Sequence, residues 1–252
     1  MKKVIKFQIK SDFAFFKDNL GLRGNFSYPM IHKPALLGIL GAIMGYKGFL
    51  DYKKDTKIEY LDKLEEVKVG IKTYSLNNES VEIITNDSTL LGITSDRQKT
   101  IQNKDIVLSN QKYDIYLSIE ENNLYEEILK RLKNRDFHYQ PYLGRTSFLA
   151  TINNVEEIEI VDNKTSVEEE FVYIETLFNS EDLIDLEEEG MDTEDYEGKI
   201  VGSNFILPVS SNTQNGIYED IKEFSCYQYI EKETFENTSY LELENKEKIY
   251  IF

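Results

Sequence analysis

The sequence predicts an α+β protein, and three observations carry that reading. Short segments alternate polar and apolar with period two, which is the pattern of half-buried strands. Two segments instead repeat their apolar residues every three to four positions, as helices do. The two kinds follow one another as strand, helix, strand, strand, helix, strand, the ferredoxin-like order that RNA recognition modules also use.

The first element is Val4–Lys10, where Ile5, Phe7 and Ile9 face one way and Lys6, Gln8 and Lys10 the other. A loop is expected over residues 11–31, with Phe13, Phe15, Phe16, Phe26 and Tyr28 among Lys17 and Arg23. Structureless loops of about twenty residues are uncommon in compact domains and are often functional. Pro34 suits the first position of a helix running to Gly45. Gly38, Gly41, Ala42 and Gly45 give that helix a face of small residues, which is expected to receive a close backbone from the sheet or a neighbouring subunit. A second strand is expected over 64–75 and an inserted β-hairpin arm over 76–110, with apolar runs at Val81–Ile84 and Leu90–Ile93. Tyr113, Ile115, Leu117 and Ile119 alternate as a third strand. Leu124, Ile128 and Leu132 mark a second helix, with Lys130, Arg131 and Lys133 in its last turn, where cations oppose the helix dipole. Residues 135–145 lead to a fourth strand at Phe148, Ala150 and Ile152. Beyond it lie strand-like runs at 171–174, 205–208, 227–230 and 248–252, and an acidic stretch over 181–197. The organisation read from this is a core over 1–154, with the arm at about 76–110, and an acidic, mostly β region over 155–252.

Composition limits the functions available. The chain has 252 residues, enough to bury a large core without staples. A single cysteine, Cys226, and 2 histidines leave neither an internal disulfide nor a Cys/His zinc cage. No apolar run reaches the roughly 18 residues of a spanning helix, so the expectation is a cytoplasmic protein without a membrane partner. The net charge of -17 is unevenly spread. Residues 1–60 carry 11 basic and 5 acidic side chains, and residues 151–252 carry 6 and 27. A basic front suits a polyanion; the acidic back is expected in solvent or against a basic surface, turned away from nucleic acid.

Two blocks carry a family resemblance. The first is FQIKSDFAFFK, then NFSYP, then HKPALLGILGAIMG, over Phe7–Gly45; the second is PYLGRTSFLA, over Pro141–Ala150. Together they resemble the CRISPR-associated Cas-five family, of type I and I-B-like, and they bracket residues 1–150. The resemblance implies a RAMP fold: a ferredoxin-like/RRM-like core with an inserted β-hairpin thumb and a β-rich acidic C-terminal region. It also implies a non-catalytic subunit of the Cascade surveillance complex in antiviral defence. Such a subunit grips the 5′ handle of the crRNA, caps the backbone filament, meets the backbone and large subunits, and touches target DNA only through the complex. One branch of the family instead cleaves repeat RNA.

A single-stranded RNA binder needs cations for phosphates and aromatic faces for bases. Lys6, Lys10, Lys17, Arg23 and Lys33 are the candidate cations of the front, with Phe16, Phe26 and Tyr28 as candidate stacking faces. His32-Lys33-Pro34 puts cations at a helix start, and Gly144-Arg145 has the form of a phosphate-gripping turn. Arg97, Lys99 and Lys104 are the thumb candidates. Each has a plainer alternative: solvated lysines, core aromatics, a capping histidine, a simple turn. No cofactor, metal site or catalytic residue is expected. The alternative enzyme, a metal-independent endoribonuclease processing CRISPR repeat RNA, would have only Tyr28, His32, Lys33 and His138 to draw on. A third reading is an acidic module for basic proteins.

Overall fold

A computed structural model describes residues 3–18, 25–48, 57–74, 80–87, 101–164, 171–182, 204–226, 229–231 and 240–252. Strand β1 (Lys3–Ala14) is followed by helix α1 (Lys33–Met44), a short helix α2 (Glu59–Lys63) and β2 (Lys68–Thr73). Then come β3 (Ser80–Asp87), the long β4 (Ile101–Ser118), helix α3 (Asn122–Asn134) and β5 (Thr151–Lys164). The remaining strands are β6 (Phe171–Tyr173), β7 (Phe178–Asn179), β8 (Phe205–Ser211), β9 (Tyr218–Ser225), β10 (Tyr229–Glu231), β11 (Tyr240–Leu243) and β12 (Lys248–Ile249).

The main sheet runs β12-β11-β5-β1-β4-β2, with β3 pairing the far half of β4, and every pairing in it is antiparallel. The third strand and the outgoing strand of the arm are therefore one element. β4 pairs β1 and β2 over its second half and extends past them to pair β3. The apolar run at Leu90–Ile93, like Arg97 and Lys99, lies outside the described residues.

The alternation in β1 sends Ile5, Phe7 and Ile9 into the core formed with α1 and α3. Helix α1 is apolar on nearly all sides because it is covered on nearly all sides. Leu36, Leu37, Ile39, Leu40, Ile43 and Met44 are all buried, each such side chain contributing about 1.5 to 3 kcal/mol. At Gly41 its small-residue face does not receive a backbone from the sheet. It receives a side chain: a Cβ on Gly41 would stand 2.5 Å from Cβ of Tyr60 in α2. Gly45 has a second task, ending α1 in the left-handed conformation at φ 77°, with Tyr46 N–H donating to Gly41 O at 2.9 Å.

The expected loop over 11–31 is shorter than the sequence suggested. β1 continues through Ser11–Ala14 because those residues pair with Leu108–Gln111 of β4. Beyond it the chain folds back on itself: Tyr28 N–H donates to Phe16 O at 2.7 Å and Asp18 N–H to Phe26 O at 2.8 Å.

The C-terminal strands share the same core. β8 and β9 bring Phe205, Leu207 and Phe224, with Cys226 just beyond, against the helices. The last residues tie both edges of the sheet together. β12 pairs β11 at one edge, and Phe252 exchanges backbone hydrogen bonds of 2.9 and 3.0 Å with Val69 of β2 at the other. Three residues, Ile249 to Phe252, reach about 10 Å. In a flat sheet the two edge strands would be about 24 Å apart. The sheet is therefore strongly curled at this end. Its concave face holds a second cluster of Val4, Tyr116, Ile158, Leu241, Leu243 and Ile249.

Candidate nucleic-acid interface

The face of the sheet away from α1 and α3 carries the even-numbered residues of β1. Strand register arranges it in rows. Gly70, Tyr116, Lys6 and Glu156 form one row; Lys72, Asp114, Gln8 and Asn153 form the next. The row after that runs from Tyr74 through Lys112 and Lys10 to Thr151.

The C-terminal segment roofs the upper rows and neutralises their cations. Lys6 Nζ lies 2.6 Å from Glu247 Oε1, both side chains at most one-fifth exposed, and Tyr116 OH donates to Glu247 Oε2 at 2.9 Å. Burial pushes the Glu247 carboxyl up, but its hydrogen bonds with Lys6, Asn245 and Tyr116 outweigh this and hold it below the usual value. Lys72 is paired with Glu175. Lys33 Nζ donates to Phe252 O at 3.0 Å, and burial lowers its pKa. Part of the basic surface expected to meet the acidic back thus belongs to the same chain. The acidic stretch itself lies outside the described residues beyond Asp182.

The Tyr-Leu-Gly-Arg segment is a tight turn wedged against the end of β1. Phe15 N–H donates to Leu143 O at 3.0 Å, and Leu143 N–H to Phe148 O at 2.9 Å. Gly144 has φ +84°, and a Cβ there would lie 1.8 Å from Phe15 O, so no other residue fits. Arg145 does not point a free guanidinium at solvent. It stacks over the Phe15 ring at 4.4 Å and pairs with Asp105 Oδ2 at 2.7 Å. Asp105, 2% exposed, also accepts from Asn25 Nδ2 at 2.5 Å. A buried carboxylate requires such partners. The trio ties the turn, the folded-back segment after β1 and the root of the arm to one point.

The candidates at the start of α1 are packed inside. His32 is fully buried among Phe16, Tyr28 and Tyr218, with ring centroids 5.0 to 5.9 Å away. Its Nδ1 accepts from Ala35 N–H at 3.3 Å as an N-cap, and burial lowers its pKa to about 3. The helix start is therefore not an open cationic phosphate site: His32 is neutral and Lys33 is engaged. Phe16 and Tyr28 are core residues and present no open ring face; Phe26, by contrast, is half exposed. His138 packs at the other end of α1 against Gly45. A 12-residue helix separates the two histidines by about 18 Å, so Tyr28, His32, Lys33 and His138 do not converge.

Lys10 and Lys17 are exposed and form no ion pair among the described residues. Lys104 pairs with Glu82 at 3.0 Å across the arm. Arg23 lies outside the described residues. Sequence reasoning missed Tyr74, Lys112, Asp105, Glu175 and Glu247. Lys112 was readable, since alternation with the buried Tyr113 and Ile115 turns 112 to the other face. The two glutamates gave no local signal. Among the described residues, no helix is long and apolar enough to cross a membrane, and no group of three His, Cys, Asp or Glu is placed to hold a metal.

The family model described as CRISPR-associated protein (Cas_Cas5) matches residues 4–203. The chain belongs to that family. The match spans β1, both long helices, the arm and β5, so both sequence blocks fall inside it. Among solved structures, this Cas5-family chain is similar to one titled "CRISPR RNA-guided surveillance complex", at a TM-score of 0.53 and 11% identity over 92% of each chain. That likeness shows a shared α+β fold dominated by antiparallel sheet. A CRISPR protein from Archaeoglobus fulgidus also matches, at a TM-score of 0.48 and 13% identity over 99% of this chain and 98% of that one. So does a chain of the Type III-B Cmr-beta complex bound to cognate target RNA and AMPPnP, at 0.45 and 12% identity over 92% and 86%. No curated protein matches the chain.

Proposed function

We propose that this Cas5-family chain is a non-catalytic, RNA-binding subunit of a type I CRISPR Cascade complex. It holds the 5′ handle of the crRNA and caps the backbone filament, beside the backbone and large subunits. Its β5-β1-β4-β2 strands with α1 and α3 serve as a ferredoxin-like core, and the β3–β4 hairpin as the thumb. The observation that carries the reading is the family match over residues 4–203. The separation of the two histidines supports the non-catalytic part, because a metal-independent ribonuclease needs a base and a cation at one phosphate.

The test is reconstitution of the complex on guide RNA with and without the 5′ handle, alongside incubation of the purified chain with repeat RNA in EDTA. Handle-dependent incorporation without cleavage is expected. Cleavage lost on His32→Ala or His138→Ala would instead establish the nuclease. Incorporation indifferent to the handle would refute handle binding.

A further inference from the structure

Lys10 of β1 and Lys112 of β4 are direct cross-strand partners, on the sheet face just beyond the C-terminal roof. Like charges placed directly opposite destabilise an antiparallel pair. Neither lysine forms an ion pair among the described residues. Asp114, one row up, is already committed: its Oδ1 accepts from Gln8 Nε2 at 3.0 Å and its Oδ2 from Tyr74 OH at 2.8 Å. Asp12, two residues along β1, is exposed and pairs with neither. Beside the two lysines stands Tyr74, 47% exposed, with Lys112 Nζ 4.1 Å from its ring centroid. Its hydrogen bond to Asp114 fixes the ring from the edge and leaves the phenol neutral: burial and that bond push its pKa up to about 12. On the other side of Lys10 is the exposed Thr151.

We propose that the row Tyr74–Lys112–Lys10–Thr151 is a contact surface for single-stranded RNA. The two lysines grip backbone phosphate and the Tyr74 ring takes a base once the Lys112 ammonium swings onto the phosphate. This rests on the reading of the chain as an RNA-binding subunit and assigns where the strand crosses the sheet. The rows above are closed to it. Lys6 and Lys72 there already hold Glu247 and Glu175, and an RNA phosphate would have to displace a carboxylate. The lower row carries cations that, among the described residues, hold no carboxylate to displace.

The test is fluorescence anisotropy of the full chain with labelled, repeat-derived single-stranded RNA across a salt series, with thermal melts of each variant. Lys10→Ala and Lys112→Ala should each flatten the slope of log K against log salt by about 0.7, and the double variant by about 1.4. Tyr74→Ala should weaken binding about tenfold with the slope unchanged. The lysine variants should melt no lower than the native chain, because each relieves a repulsion. If the native chain binds RNA and the double variant keeps both affinity and slope, this surface is wrong while the RNA-binding reading stands. If the native chain binds no RNA, alone or in the reconstituted complex, both fall. A lysine variant that loses affinity only together with a marked drop in melting temperature also overturns the assignment, since it makes the pair structural.

Discussion

Replacing Gly144 by Ala adds one methyl group where the backbone leaves no room for it. At φ +84° an L-residue pays about 1 to 2 kcal/mol for the left-handed conformation alone. The new Cβ would also lie 1.8 Å from Phe15 O and 2.6 Å from its carbonyl carbon. Both are backbone atoms, so no side-chain rotation relieves the overlap, and the turn must retreat from β1 by about 1.5 Å to reach ordinary contact. Retreat sacrifices the Phe15–Leu143 hydrogen bond, about 1 kcal/mol, and loosens Arg145 from the buried Asp105. Together these give a destabilisation of about 3 to 5 kcal/mol. For a chain of this size each kcal/mol moves the melting temperature by about 2 to 4 °C, so a fall of about 10 °C is expected. Circular dichroism melts of Gly144→Ala and the native chain measure it. Gly48→Ala is the control, since nothing among the described residues lies within 4 Å of the Cβ it would add, and it should be neutral or slightly stabilising. A Gly144→Ala melt within about 2 °C of native would refute the reasoning, because it would mean the turn does not press on Phe15.

Gly41→Leu should cost about 1 to 3 kcal/mol by overpacking against Tyr60, and Tyr60→Ala in the same chain should recover part of it; additive losses in urea titrations would show that the two do not touch. Glu247→Gln should cost about 1 to 2 kcal/mol at neutral pH, because it weakens the links to Lys6 and Tyr116 that are only partly shielded from water. Since the folded-state pKa of Glu247 lies below its ordinary value, that contribution is present above about pH 4.5 and is lost as pH falls through the folded pKa, so the two chains should converge in acid melts. His32 gives a second test with the same sign at higher pH. Its folded pKa of about 3 lies below the unfolded value, so only the unfolded chain takes up a proton between. Stability should therefore fall by up to about 1.4 kcal/mol per pH unit below pH 6.5, and His32→Phe should flatten the profile between about pH 6.5 and 5. A profile as steep in the variant would assign that slope to other groups.

Local periodicity was enough to place much of the chain. Ile5, Phe7 and Ile9 against Lys6, Gln8 and Lys10 determined which face of β1 enters the core, because a strand's side chains must alternate. Pro34 and Gly45 fixed the two ends of α1, and Leu124, Ile128 and Leu132 fixed the buried side of α3, because both depend only on neighbours within a few turns. The Phe7–Gly45 and Pro141–Ala150 blocks pointed to the family. What they could not do was separate an outward lysine from a paired one. Lys6 and Lys10 sit four residues apart on the same face of one strand, yet Lys6 holds Glu247 and Lys10 faces Lys112. His32 and Tyr28 looked like surface chemistry until Tyr218 closed over them from β9. In each case the deciding partner lies about one hundred residues or more away. Secondary structure follows from what a residue's neighbours in sequence allow; burial and net charge at a point in space follow from which distant segments the sheet's curl brings there. The sequence by itself determined the α+β class, the places of β1, α1 and α3, and the family, but not α2, β9 or β11. Only the tertiary structure decided that, among the described cations of the basic front, Lys6 is neutralised and Lys10 is not, because the C-terminal segment brings Glu247 across the sheet to Lys6.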